Sequence, residues 1–135
     1  MKYPPKAHVI QSTEGQTVHL MARVVTKDNV AVQQSGITGT GGQEITRNIF
    51  DMSVADPIAG IATSSLDKTA KIFDTLQTDA EWTADTTGYN FLDSVATADL
   101  ATGTKRWRVQ YSMVVTGEET ITWEYFVDVQ DVYGS

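Results

Sequence analysis

Two histidines, His8 and His19, are the first residues to test for chemistry. A zinc centre needs three or four ligands, and in a chain with no Cys no second cluster supplies the rest. A Ser-His-Asp triad assembles in space, so counting does not exclude one, but no Gly-x-Ser-x-Gly elbow accompanies these histidines. Carboxylates are more numerous. Asp51 with Asp56, and Asp79 with Glu81 and Asp85, form the tightest groups, and neither has the Asp-x-Asp-x-Asp-Gly spacing of a calcium loop. Paired carboxylates suit glycoside hydrolysis, yet a cleft with aromatic walls is hard to build in a domain this small. The glycine-rich stretch from Ser35 to Gly42 lacks Gly-Lys-Ser/Thr, and a strand pattern follows it. The helix N-terminus that would hold a phosphate is therefore missing. The residues predict no enzyme, no bound metal and no cofactor.

Contact chemistry is the other possibility. Trp82 and Tyr89 flank a turn-like segment and are expected to be partly exposed, as partner contacts or as a small sugar-binding platform. Tyr3, Pro4, Pro5 and Lys6 form a stiff, basic start to the chain, suited to packing on a neighbour. Charge supports a division of the molecule. Residues 1–27 carry a balance of +3, whereas residues 28–135 carry −10, and the stretch from Phe73 to Thr104 has six acidic residues and no basic one. One reading is a solvated acidic face; the other is head-to-tail pairing, with the basic arm of one copy on the acidic face of another.

The elements that must position these residues are strands. The chain has 135 residues, 41% of them hydrophobic and 20% charged, enough for one core but not two. A net charge of −7 argues against general nucleic-acid binding. No apolar run is long enough to span a membrane, and the N-terminus lacks the apolar core of a signal peptide. The clearest pattern is at the C-terminus. Trp107, Val109, Tyr111, Met113 and Val115 alternate with polar residues, Thr116-Gly117-Glu118-Glu119 interrupts, and Ile121, Trp123, Tyr125, Val127 and Val129 resume. This predicts a long antiparallel hairpin over 105–130 with those residues buried and Phe126 on the polar face.

Weaker alternation places strands near 17–26, over 44–51 with Ile45 and Ile49 on one side, near 58–63, over 69–75 and from Tyr89 to Leu92. Val30-Ala31-Val32 is a possible short strand, and the Ala-rich stretch 93–100 a possible helical turn. Ser35 to Gly42 reads as a flexible loop. The sum is an all-β chain, an immunoglobulin-like β-sandwich of about seven antiparallel strands over 13–135, preceded by an extended N-terminal arm over 1–12. A small barrel is the alternative. The segment Ala7-His8-Val9-Ile10 can also fold back on the sheet, with residues 1–6 alone outside it.

The block Ile72-Phe73-Asp74-Thr75-Leu76-Gln77-Thr78-Asp79-Ala80-Glu81-Trp82, followed by Thr87-Gly88-Tyr89-Asn90-Phe91, resembles a signature of uncharacterised tailed-bacteriophage and prophage proteins. Trp107-Arg108-Val109-Gln110-Tyr111 and Ile45-Thr46-Arg47-Asn48-Ile49-Phe50-Asp51 resemble their flanking strands, so the likeness spans about residues 43–130. It implies a virion structural component, made in the host cytoplasm, with other virion proteins as partners. A capsid decoration (cement) protein bridging major capsid subunits is the expectation. A head–tail connector, tail or baseplate subunit and a carbohydrate-binding module are the competing readings.

Overall fold

The computed structural model describes residues 8–13, 16–52, 62–78, 80–82, 86–96, 105–116 and 119–130. Eight strands run through them: β1 (His8–Thr13), β2 (Thr17–Ala22), β3 (Ile45–Asp51), β4 (Ala62–Leu66), β5 (Ile72–Gln77), β6 (Tyr89–Ala96), β7 (Lys105–Val115) and β8 (Glu119–Gln130). They form two sheets, β1-β8-β7-β3-β4 and β2-β6-β5. The chain is therefore all-β, with apolar faces of both sheets contributing to one core.

The expected hairpin is its backbone. β7 and β8 pair antiparallel without a break from Lys105 with Val129 to Val115 with Glu119. Every inward position from Trp107 to Val115 and from Ile121 to Val129 is buried. Trp123 stacks on Tyr111 at 5.7 Å, and Phe91 of the facing sheet meets both rings edge-on. Such contacts add about 0.5–1.5 kcal/mol each beyond the area they bury. Outside, Phe126 lies beneath the Arg106 guanidinium at 5.7 Å, and Phe50 beneath Arg108 at 5.4 Å. These outward rings are covered by the cations of neighbouring strands, which also hold Asp128 and Glu124.

Several expectations need correction. The strands are not all antiparallel, because β1 pairs parallel with β8, from His8 with Tyr125 to Thr13 with Gln130. Thus residues 8–12, assigned to the arm with a fold-back through Ala7-His8-Val9-Ile10 as the other reading, belong to the sheet, and β8 supplies the ladder that local sequence could not reveal. Residues 93–96 are strand, not helix, because Phe91, Asp93 and Val95 keep turning inward. The strand expected over 69–75 begins later. Asp67 caps a single helical turn, α1 (Lys68–Lys71), by accepting from Thr69 N, and β5 starts at Ile72. β2 ends at Ala22, and beyond it Val25 and Ala31 form only an isolated bridge. The glycine-rich loop is anchored at its start: Gln34–Gly36 make one 3-10 turn, and buried Ile37 bridges to Val115. Most of the strand expected at 58–63 lies outside the described residues, and β4 occupies Ala62–Leu66.

Candidate functional site

β6 carries the residues on which the interior depends. Its inward face presents Phe91, Asp93 and Val95, so one carboxylate enters an apolar row. Three elements answer it. Arg47 from β3 donates to Asp93 Oδ2 at 2.9 Å, Tyr111 from β7 donates to the same oxygen at 2.6 Å, and Lys71 Nζ from α1 lies 2.8 Å from Oδ1. Asp93 is 1% exposed, while Arg47 and Lys71 keep 16% and 25% of their side chains in contact with solvent. Burial pushes the Asp93 carboxyl up, but the bonds from Lys71, Tyr111 and Arg47 outweigh it and hold the group below its ordinary value. Burial, reinforced by the Asp93 charge, pushes the Tyr111 hydroxyl strongly upward, so it stays a donor. A carboxylate enclosed by two cations and a phenol is a structural anchor tying both sheets to α1.

The Thr87–Phe91 segment solves a different problem. Between Ala22 and Ile37 the chain leaves the sheet, and its backbone groups need partners. Asn90, 0% exposed, supplies three of them. Its Oδ1 accepts from Val24 N at 2.7 Å, and its Nδ2 donates to Val24 O at 2.9 Å and Val32 O at 3.0 Å. Gly88 precedes it at φ +107°, where a Cβ would stand 2.4 Å from Gln77 O, so only glycine fits. Arg23 donates to Gly88 O at 3.0 Å. Each member of Gly88-Tyr89-Asn90-Phe91 thus has a fold role: close approach, edge packing, backbone clamp and core.

The proposed contact pair does not form a platform. Tyr89 is buried at 4% exposure, contrary to expectation, because the Phe73 ring at 6.0 Å and the Trp82 ring at 5.5 Å pack against it. Trp82 is itself partly buried and covers that ring. Trp107, Val109, Tyr111, Ile121, Trp123 and Tyr125 are all buried as expected, and Tyr125 donates to Met21 O at 2.6 Å. Tyr3, Pro4, Pro5 and Lys6 lie outside the described residues, as do Asp56, Asp79 and Asp85. His19 is exposed and shares a hydrogen bond with Ser94. Among the described residues no three His, Asp or Glu side chains gather as metal ligands, and no helix is long and apolar enough to cross a membrane.

Sequence reasoning missed the Asp93 cluster, although a signal was present: Phe91-x-Asp93-x-Val95 places an acid at a core-facing position of an alternating run. It also missed a surface pocket of about 190 Å³ between residues 26–36 and the end of β7. Thr26, Ala31, Val32, Ser35, Val115 and Thr116 line it. Comparison with family models, with curated proteins and with solved structures found no match.

Proposed function

We propose that the protein is a structural component of a tailed-bacteriophage virion, a capsid decoration (cement) protein bridging major capsid subunits. The observation that carries this reading is the use made of the interior polar groups. Asp93, Arg47, Lys71, Tyr111 and Asn90 are committed to joining the two sheets and the crossing segment. A shell built this way offers partners a rigid surface, with interaction confined to sheet edges, hairpin ends and the basic N-terminal residues Tyr3 to Lys6. The Ile72–Phe91 block, on which the phage resemblance rests, holds the corner of that shell, which favours a shared fold as the reason for the likeness. Its partners are then other virion proteins.

We read the sandwich as immunoglobulin-like. The order β8-β7-β3-β4 facing β2-β6-β5 is that of strands G-F-C-C′ facing B-E-D. There is no disulfide between the strands in places B and F, and inward Arg47, not a Trp, marks the strand in place C. Quantitative mass spectrometry of purified particles tests the assignment. Copies in the hundreds are expected. About six or twelve, the count of one ring at a single vertex, would move the protein to the connector or baseplate. Absence from particles would overturn the reading.

A further inference from the structure

The pocket described above lies at a particular end of the sandwich. Val115 and Thr116 lie where β7 finishes, and Glu119 pairs with Val115 where β8 begins. The turn from Thr26 to Val30 closes the same end: Thr26 N donates to Val30 O at 2.8 Å, and Lys27 N donates to Glu119 Oε1 at 3.3 Å. Ala31, Val32 and Val115 give the pocket an apolar lining, with Thr26, Ser35 and Thr116 among them. At about 190 Å³ it suits one side chain and falls short of the ~300–1,000 Å³ of small-molecule clefts. Val30 at 60% and Val114 at 37% are the large apolar side chains exposed among the described residues, and both adjoin pocket-lining residues in sequence. The same end carries Asp28, Asp74 and Glu119 beside the cation Lys27, so acids prevail there; Asp74 is held by Gln34 N at 2.7 Å.

Register sets the start of β1 toward this end. β1 runs parallel to β8, with His8 level with Tyr125, so β1 begins at its end nearer Glu119, and the residues before His8 attach there. Those residues include Lys2, Tyr3, Pro4, Pro5 and Lys6. They supply one aromatic side chain for a one-residue pocket, two cations for an acidic rim and two prolines that lower the entropy lost on docking. The chain's own pocket is poorly placed for them. From the level of Tyr125 to that of Val115 is six residues of ladder, ~20 Å, and β8 and β7 intervene sideways by ~10–14 Å. The backbone from His8 to Tyr3 spans at most ~18 Å. Even with its side chain, Tyr3 only just matches the straight line, which passes through the hairpin end.

We infer that this pocket receives Tyr3 of a second copy, forming a two-fold dimer in which the N-terminal residues are exchanged. Because the donor segment and the acceptor pocket share one end, a two-fold axis there satisfies both at once and closes the assembly. This rests on the reading that the N-terminal residues act beyond their own sandwich, and it names their partner as the same chain.

Sedimentation and complementation test it. The full chain should show a concentration-dependent dimer whose dissociation constant rises at least about tenfold between 0.05 and 0.5 M salt. Deletion of residues 1–6, or Tyr3→Ala, should give monomers with unchanged far-ultraviolet circular dichroism. Gly36→Leu should block the pocket, since open space lies where a Cβ would stand. Val114→Asp, at an exposed position, is the second acceptor variant should Gly36→Leu fail to fold. Mixing the deletion protein with a monomeric acceptor variant should restore dimers, because one brings the pocket and the other the segment. A monomeric full chain, a deletion protein that still dimerises, or a mixture that stays monomeric would overturn the inference. Particle binding by the full chain and the deletion protein is measured alongside. Loss on deletion without any solution dimer would remove the dimer and leave the virion reading standing.

Discussion

The β7-β8 hairpin and the small sheet with its crossing segment are held together by different means. The hairpin pairs over eleven consecutive positions on one edge, and apolar side chains alternate along both strands. In the small sheet β5 pairs with β6 only at Ile72 with Phe91 and Gln77 with Tyr89, with a shift of register between. Polar side chains stand in for the missing ladder there: Asn90 on Val24 and Val32, Gln34 on Ile72 O, Asp74 on Gln34 N, and Asp93 across the interface. Long strands allow backbone and apolar burial to carry a fold. Short, irregular strands shift that task to individual buried polar residues, each of which becomes hard to replace.

Two substitutions set the comparison at its widest. Trp123→Ala in the hairpin should destabilise by about 3–5 kcal/mol through a large cavity. Asp93→Ala should match it at about 3–5 kcal/mol, because Arg47 and Lys71 lose their shared counter-charge at a partly buried site. Denaturant melts of both proteins decide the matter, and an Asp93→Ala loss below about 1 kcal/mol would show that the polar anchor is dispensable. The same carboxylate predicts a pH effect with a definite sign. Its folded value is depressed, so the unfolded chain takes up a proton more readily. The stabilisation is therefore present above the unfolded value near ~3.9 and is lost as pH falls through the folded one. Asp93→Asn should show a flatter decline of stability with acid in that window.

Asn90→Ala comes next, at about 2–3 kcal/mol, since it removes the partner of Val24 N and of Val32 O, while Val24 O keeps its bond from Val32 N. Hydrogen exchange should rise first at Val24, and protection there equal to that of the parent would mean that the clamp is redundant. The smallest effect belongs to the outer face of the hairpin. Arg106→Ala removes an exposed pair with Asp128, and little or no shift of the thermal midpoint is expected. A larger loss would show that the covered Phe126 ring matters more than the ion pair.

The same contrast explains what the sequence made legible. The hairpin was readable because burial and alternation coincide residue by residue from Trp107 to Val129. β6 was misread beyond Leu92, since an acid at an inward position looks like the end of a strand until Arg47, Lys71 and Tyr111 are beside it. Tyr89 follows a turn, which in sequence reads as partial exposure, and only Phe73 and Trp82, packed on its ring, bury it. β1 was ambiguous for another reason. Its partner lies at the far end of the chain, and no local pattern encodes a parallel neighbour that distant. The pocket had no linear signal at all, being formed where residues 26–36 meet 115–116.

The pairing of β1 with β8 has a mechanical consequence. The first strand lies beside the last and runs the same way, so tension applied through the two ends pulls these neighbours in opposite directions along their common axis. The six-residue ladder between them is then loaded in shear, with its bonds sharing the strain, whereas a hairpin pulled at its open end yields one bond at a time. A molecule stretched between its ends should therefore resist far more force than one pulled through Lys105 and Gln130, and single-molecule extension with the two attachment geometries would measure the ratio. A fold wired in this way tolerates being tugged on by what it is bound to, provided the attachments are at its ends.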